Sequence, residues 1–331
     1  ALGLLTEFTT KAQAEAIVGP QPLEFTTRRS GVANWGHVSR FLEKGWTDDT
    51  DQAICIFRAL SRGEGDPEKE AQAFAQELLM WRHGGIRQTE ELPGRTDPKC
   101  MGLGALVGSV LLNPHFETDP LLAAREQWAS GRQKLEFRPA ANGALMRTSV
   151  IPLMYYNDLE AVVQKTILFS KTTHADPRCT AASVAYSVAM ALLLRSGGKG
   201  NINDIMNEAK NYAKMVLRDE LEEADRLGLL IEEESGAKRE ALYRNFEADL
   251  EKHMTVDSLA GLDLDEGFGS KDNRIGYVFK CLGSAFWALR EASKLRDQNM
   301  PPQEIYRKVM TDLIREGGDA DTNGAVAGAR L

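Results

Sequence analysis

Apolar residues recur along this chain mostly at helical spacing. Ala53, Ile56, Phe57 and Leu60 fall at i, i+3, i+4 and i+7, and Gly63 ends the run. That spacing puts them on one face of an amphipathic helix. Thr47 stands at the N-cap position, with Asp48 and Asp49 in the first turn. A second helix is predicted over 67–83, with Ala71, Phe74, Leu78 and Trp81 on one face and Gly84-Gly85 as its stop. Gly102 and Gly104 open an apolar helix that runs through Leu112. Asn142-Gly143 opens another, which runs toward Tyr156 with a kink or break expected at Pro152. Further helical runs cover 159–170, 179–195, a charged stretch over 204–253, and 277–293. One more begins at Pro301-Pro302 and ends near Gly317. No stretch alternates convincingly enough to read as a strand, and no repeat period emerges. About ten helical runs between short loops predict an all-α fold. We read it as one compact domain over 1–331, with helices packed orthogonally rather than as a coiled coil.

Composition narrows the function without choosing it. Apolar content of 43% and charged content of 27% are ordinary for a globular protein. The net charge of −8 argues against a general nucleic-acid or anionic-membrane surface. No apolar run approaches the ~18 residues of a membrane span. The opening Ala1-Leu2-Gly3-Leu4-Leu5 has no basic region, so no signal peptide is expected. Cys55, Cys100, Cys179 and Cys281 are scattered without a CxxC pair. That pattern predicts free thiols in a reducing compartment, cytoplasmic or nuclear, with neither a zinc site nor a disulfide framework. The acidic segment 219–253 reads as a solvated helical pair, and the chain as a monomer.

The chemistry concentrates in two stretches. Trp46-Thr47-Asp48-Asp49-Thr50 sets two carboxylates between hydroxyls at the start of a helix. Read alone, it is helix-capping chemistry, worth roughly 0.3–1 kcal/mol. Near the other end, Gly317-Gly318-Asp319-Ala320-Asp321-Thr322-Asn323-Gly324 repeats the pattern before a helix of small residues. If both converge, Asp48, Asp49, Asp319 and Asp321 cannot all stay ionised without cations. Two divalent ions would balance them. All-oxygen ligands select hard ions, Mg²⁺, Mn²⁺ or Ca²⁺, over zinc.

This pair of stretches resembles the motifs of the ADP-ribosylglycohydrolase family. The family includes arginine-type and serine-type ADP-ribosyl-acceptor hydrolases and the dinitrogenase-reductase-activating glycohydrolases. The resemblance implies a hydrolase that removes ADP-ribose from a modified protein or small-molecule acceptor. It implies a dinuclear Mg²⁺ or Mn²⁺ site whose ligands are Thr47, Asp48, Asp49, Asp319, Asp321 and Thr322. Gly3, Glu7 and Phe8 resemble the tail of the family's opening Gly-Asp-x-x-Gly…Glu-Phe motif, so the chain looks trimmed within it. Glu7 is then expected near the metals, where Glu7 or Asp48 moves protons. Asn142-Gly143 matches an Asn-Gly-x-x-Met-Arg segment that lies against ADP-ribose. Thr173-His174 with Pro177 matches Thr-His-x-x-Pro, which assigns His174 to the ligand. Gly102 and Gly104 either offer backbone N–H groups to a phosphate or pack tightly. Phe268 and Tyr277 either stack on the adenine or fill core.

Two other classes stay open: an inactive ADP-ribose-binding relative, and a calcium-stabilised helical scaffold. The loop over 20–45 is either a lid or an ordinary surface loop. Gln52 departs from the apolar residue many members carry there. Cys100-Met101-Gly102 lacks an aspartate that some arginine-type members carry, which leaves Asp97 as the candidate acid on that side.

Overall fold

A computed structural model of the chain describes residues 2–23, 38, 41, 45–86, 100–133 and 140–331. Most of the candidate lid over 20–45 lies outside the described residues, as does Asp97. The helices are α1 (Lys11–Val18), α2 (Asp48–Arg62), α3 (Pro67–Gly84), α4 (Ala105–Leu111), α5 (Pro120–Gln133), α6 (Val150–Tyr155) and α7 (Leu159–Lys171). Then come α8 (Pro177–Arg195), α9 (Ile202–Arg226), α10 (Arg239–Met254), α11 (Val278–Asp297), α12 (Pro302–Ile314) and α13 (Ala320–Gly328). The protein is all-α. Among the described residues, β pairing is limited to an isolated antiparallel bridge between Ala141 and Tyr277.

α8 is the axis of the main core. Its residues from Pro177 to Ala191 are buried without interruption. An evenly apolar helix is one that other helices enclose, and α7, α9 and α11 pack around it. Ala181, Ala182, Ala185 and Ala189 keep its surface small enough for close approach. It is long and apolar enough to cross a membrane, which the sequence reading did not anticipate, but 83% of its most apolar window is buried inside the protein. Asp176 caps its start by accepting from the Arg178 N–H at 2.9 Å, and Pro177 takes the first helical position.

A second core joins the α2–α3 pair to α7. Phe74 meets Phe169 edge-on with ring centroids 5.3 Å apart, beside Ile56, Leu78 and Trp81. Full burial of a side chain of this size contributes about 1.5–3 kcal/mol. α2 and α3 keep the boundaries that the periodicity predicts. The break near Pro152 falls earlier than expected: a 3-10 turn ends at Arg147, and α6 starts only at Val150. Pro152 therefore sits in the first turn of α6, where its missing N–H costs nothing. The stretch over 204–253 is two helices, α9 and α10, separated at 227–238.

The two ends of the described chain meet. The Phe8 N–H donates to the Gly318 carbonyl at 2.8 Å, and the Gly318 N–H donates to the Thr9 carbonyl at 2.8 Å. The Thr6 hydroxyl donates to the Ile314 carbonyl at 2.6 Å, satisfying an acceptor that the end of α12 leaves over. Gly318 must be glycine here: its φ is +65°, and a Cβ would stand 2.1 Å from the Leu264 carbonyl oxygen. Phe8 itself is held at a positive φ of 57°, a conformation that costs a bulky residue on the order of 1–3 kcal/mol. The strained turn carries Glu7 inward toward the start of α13.

Candidate active site

The site begins at the first turn of α2. Thr47 occupies the N-cap position, yet its side chain makes no capping hydrogen bond. Its hydroxyl donates to Oδ2 of Asp49 at 2.8 Å instead. The acids do occupy the first turn of α2, where the helix dipole favours them, but the Thr47 side chain is turned to Asp49 rather than to the helix backbone. The other carboxylate oxygen of Asp49, Oδ1, is buried with no partner among the described residues. Asp48 receives the Gln52 amide on Oδ2 at 3.3 Å. Its Oδ1 rests against Gly102, where a Cβ would stand only 2.3 Å away and φ is +89°. Tight packing is thus the reason for glycine at 102. Gly104 has open space around the position of a Cβ and sits at the N-cap of the short α4.

The opposite wall comes from the chain ends. Glu7, Asp319 and Asp321 each place a carboxylate oxygen within 4.8 Å of the others, an arrangement that could hold a metal ion. Asp321 Oδ1 accepts from the Thr322 N–H at 2.8 Å. Asp319 Oδ2 accepts from the Asn142 side-chain amide at 2.7 Å, and Gly276 leaves room beside it. Glu7, Asp49, Asp321 and Thr322 are all buried.

Burial of these acids is unfavourable to their charged forms, and their mutual repulsion adds to it. Burial first, then the charges of Asp49, Asp319 and Glu7, pushes Asp48 well above the carboxylate range. Burial, helped by Asp319 and Glu7, pushes Asp49 up to about 7. Asp321 is raised well above its ordinary value by burial and then by Asp49 and Glu7. Glu7, Asp319 and Asp321 thus lie together, and the charges of Asp48 and Asp49 act on the same group. An all-oxygen donor set, an orphaned Asp49 oxygen and several carboxylates resisting ionisation fit hard divalent cations.

The residues assigned to a ligand sit beside this wall. The Asn142 N–H donates to the Gly276 carbonyl at 3.0 Å, next to the Ala141–Tyr277 bridge. His174 is buried beneath the following turn, with its ring about where a Gly143 side chain would reach: a Cβ there would be 3.2 Å from Nε2. Burial first, then the Arg147 charge, holds the His174 imidazole down at about 3, so it is neutral at ordinary pH. Tyr277 is buried, donates its hydroxyl to Asp249, and turns its ring edge to Phe279. Its side chain is thus occupied with core contacts, and its backbone is what borders the site.

Arg147 is the residue the sequence reading passed over. It lies wholly buried in the matched Asn-Gly-x-x-Met-Arg segment and joins Gln52 to Thr173. The unusual Gln52 was the signal that could have led to it.

The ADP-ribosylglycohydrolase family model matches residues 1–331. The chain belongs to this family. No curated protein matches it. A solved structure described as an ADP-ribosylglycohydrolase-related protein complex shares 18% identity over 99% of this chain and 85% of that one, with a TM-score of 0.44. Family membership makes the protein a hydrolase of the ADP-ribosylglycohydrolase type, with ADP-ribose-containing substrates as the partners to expect. The acid cluster itself lies at a wall built by α2, α13 and the N-terminal turn.

Proposed function

We propose that this ADP-ribosylglycohydrolase removes ADP-ribose from a modified protein side chain or small-molecule acceptor with two divalent cations, Mg²⁺ or Mn²⁺. The observation that carries the reading is the approach of Glu7, Asp319 and Asp321 to within 4.8 Å, coupled by charge to Asp48 and Asp49. Thr47, Asp48, Asp49, Asp319, Asp321 and Thr322 would hold the cations, with Glu7 beside them. Cations held there would offset the buried negative charge and would supply Lewis-acid chemistry for ribose hydroxyls and a water.

The chain's own residues do the rest. Asn142 holds the ribose end of the ligand while anchored to Asp319, and Gly143 lets the backbone approach closely. The His174 ring supports that turn and offers Nε2 to the ligand. Glu7 or Asp48 takes a proton from the attacking water as its oxygen bonds to the anomeric carbon. The bond from that carbon to the acceptor breaks, and the acceptor leaves with a proton. Positive charge develops on the ribose, as in other glycosyl hydrolyses, and the surrounding carboxylates stabilise it.

Acceptor choice must come from groups beyond the anomeric carbon. A guanidinium leaving group favours a fixed carboxylate there. Cys100 stands where some arginine-type members carry an acid, and its thiol is directed to the Arg82 carbonyl at 3.4 Å. We therefore lean away from strict arginine specificity and leave serine and other linkages open. Three of the four free thiols are buried, which supports a reducing compartment, and we take the enzyme to be a monomer of one domain. Turnover of arginine-linked and serine-linked ADP-ribose, assayed side by side with Mg²⁺ and with Mn²⁺, tests the reading. Tight ADP-ribose binding with turnover of neither linkage would make the protein a reader instead.

A further inference from the structure

Arg147 is a wholly buried cation, and among the described residues no carboxylate pairs with it. Burial lowers it only to about 9, so it keeps its charge at neutral pH. Its guanidinium lies over the Phe74 ring, 4.8 Å from the centroid. It donates from Nη1 to Gln52 Oε1 at 2.8 Å, and from Nη2 to the Phe169 carbonyl at 2.8 Å and to Thr173 Oγ1 at 2.6 Å. A guanidinium has donors and no acceptor. Every group it touches must therefore accept, and that fixes the direction of the bonds that follow.

On one side, Gln52 must turn its oxygen to Arg147. Its Nε2 is then left to face Asp48, and it donates to Oδ2. On the other side, Thr173 Oγ1 accepts from Arg147 and lies 2.7 Å from His174 Nδ1. Two protonation patterns are conceivable there. If Nδ1 carried the ring proton, the buried Thr173 hydroxyl hydrogen would have no acceptor among the described residues. Leaving a buried donor unmet is costly. If Thr173 donates to Nδ1, that hydrogen is satisfied and the ring proton moves to Nε2. Nε2 has no partner among the described residues and lies against Gly143.

We propose that Arg147 is a positioning residue that sets two ends of the site at once: the amide that steadies Asp48, and the tautomer in which His174 presents Nε2–H to the Asn142–Gly143 turn. The consequence for a ligand rests on the ADP-ribose reading, since an N–H there matches an oxygen of a ribose or phosphate and repels no anion. The tautomer itself does not rest on that reading.

Nitrogen-15 NMR of the histidine rings in the ligand-free protein at neutral pH tests the tautomer directly. The expected His174 signature is a bare Nδ1 and a protonated Nε2. Thr173→Val, nearly the same shape without the hydroxyl, should abolish that preference and weaken ADP-ribose by about tenfold, leaving divalent-cation affinity close to wild type. Gln52→Met should do the converse: several-fold weaker Mn²⁺ binding by calorimetry with the His174 signature intact. Arg147→Lys should disturb both. A protonated Nδ1 in the wild type, or an unchanged signature in Thr173→Val, would overturn the proposal even if Arg147→Lys fails to fold. The predicted tautomer together with no ADP-ribose binding would instead count against the ligand reading and leave the tautomer standing.

Discussion

The side-chain amide of Asn142 donates to Oδ2 of Asp319 at 2.7 Å, across a separation of 177 residues. The bond ties the turn assigned to ADP-ribose directly to an acid of the candidate metal wall. A ligand seated on that turn would lie beside the cluster, as the proposed reaction at the anomeric carbon requires.

Asn142→Ala and His174→Ala should each weaken ADP-ribose binding by about 1–3 kcal/mol, the range for losing a buried polar contact. Asn142→Ala should also weaken divalent-cation binding, because Asp319 loses its donor; His174→Ala should not. Titration calorimetry with ADP-ribose and with Mn²⁺ separates the two effects. Unchanged ADP-ribose affinity in both variants would return these residues to a purely structural role.

Gly102→Ala should damage the site more than the fold. The added methyl would stand 2.3 Å from Asp48 Oδ1, at a residue whose φ is +89°. A positive φ costs alanine on the order of 1 kcal/mol in stability, a shift of about one to two degrees in Tm for a chain of this length. The displaced carboxylate should cost at least about tenfold in divalent-cation affinity, and turnover with it. Wild-type cation affinity in a folded Gly102→Ala would show that Asp48 is not a ligand.

The parts of this site that were legible in the sequence were those carried by local pattern. Thr47, Asp48 and Asp49 could be placed because Ala53, Ile56 and Leu60 fix the phase of α2 behind them. The all-α fold followed from the same spacing repeated along the chain. The place of Glu7 was legible only through the family resemblance and not from its own window, because its surroundings are supplied by Gly318, Asp319 and Asp321, more than three hundred residues away. Arg147 was hidden for a similar reason: its partners come from α2, α7 and the turn after α7, and no single window shows them together. Tyr277 was ambiguous between core and ligand because an aromatic beside a glycine reads the same in both. The hydrogen bond to Asp249, on another helix, is what occupies its side chain.

Asp48→Asn should abolish turnover and leave the fold intact. Asp48 is one of several buried carboxylates whose mutual repulsion and burial raise its affinity for protons. Its amide replacement removes a charge that the folded protein accommodates poorly without cations. The cation-free variant should therefore melt at or above the wild-type temperature near pH 8, while the gain in Tm on adding Mg²⁺ shrinks. Thermal scans with and without Mg²⁺, run alongside turnover, check both. Retained wild-type activity at low Mg²⁺ would reduce Asp48 to an acid of the helix start.

The pH dependence of stability should invert when cations bind. Asp49 is raised from 3.8 to about 7, and Asp48 and Asp321 are raised in the same direction. The folded protein thus holds these protons more tightly than the unfolded chain does. Stability from protonated Asp49 is fully present below its unfolded value and is lost as pH rises through about 7. Cation-free protein should accordingly lose Tm between about pH 4 and pH 8 as these acids are forced to ionise. Divalent cations bind the ionised form, so protons compete with them. Apparent affinity for Mg²⁺ or Mn²⁺ should fall about tenfold per pH unit below 7 for each proton displaced. The Tm gain at saturating Mg²⁺ should accordingly be largest near pH 8 and small near pH 5.5. A Tm gain independent of pH would mean that the cations bind away from Asp49, and a cation-free Tm that rises across this range would mean that these carboxylates are not forced together in the fold.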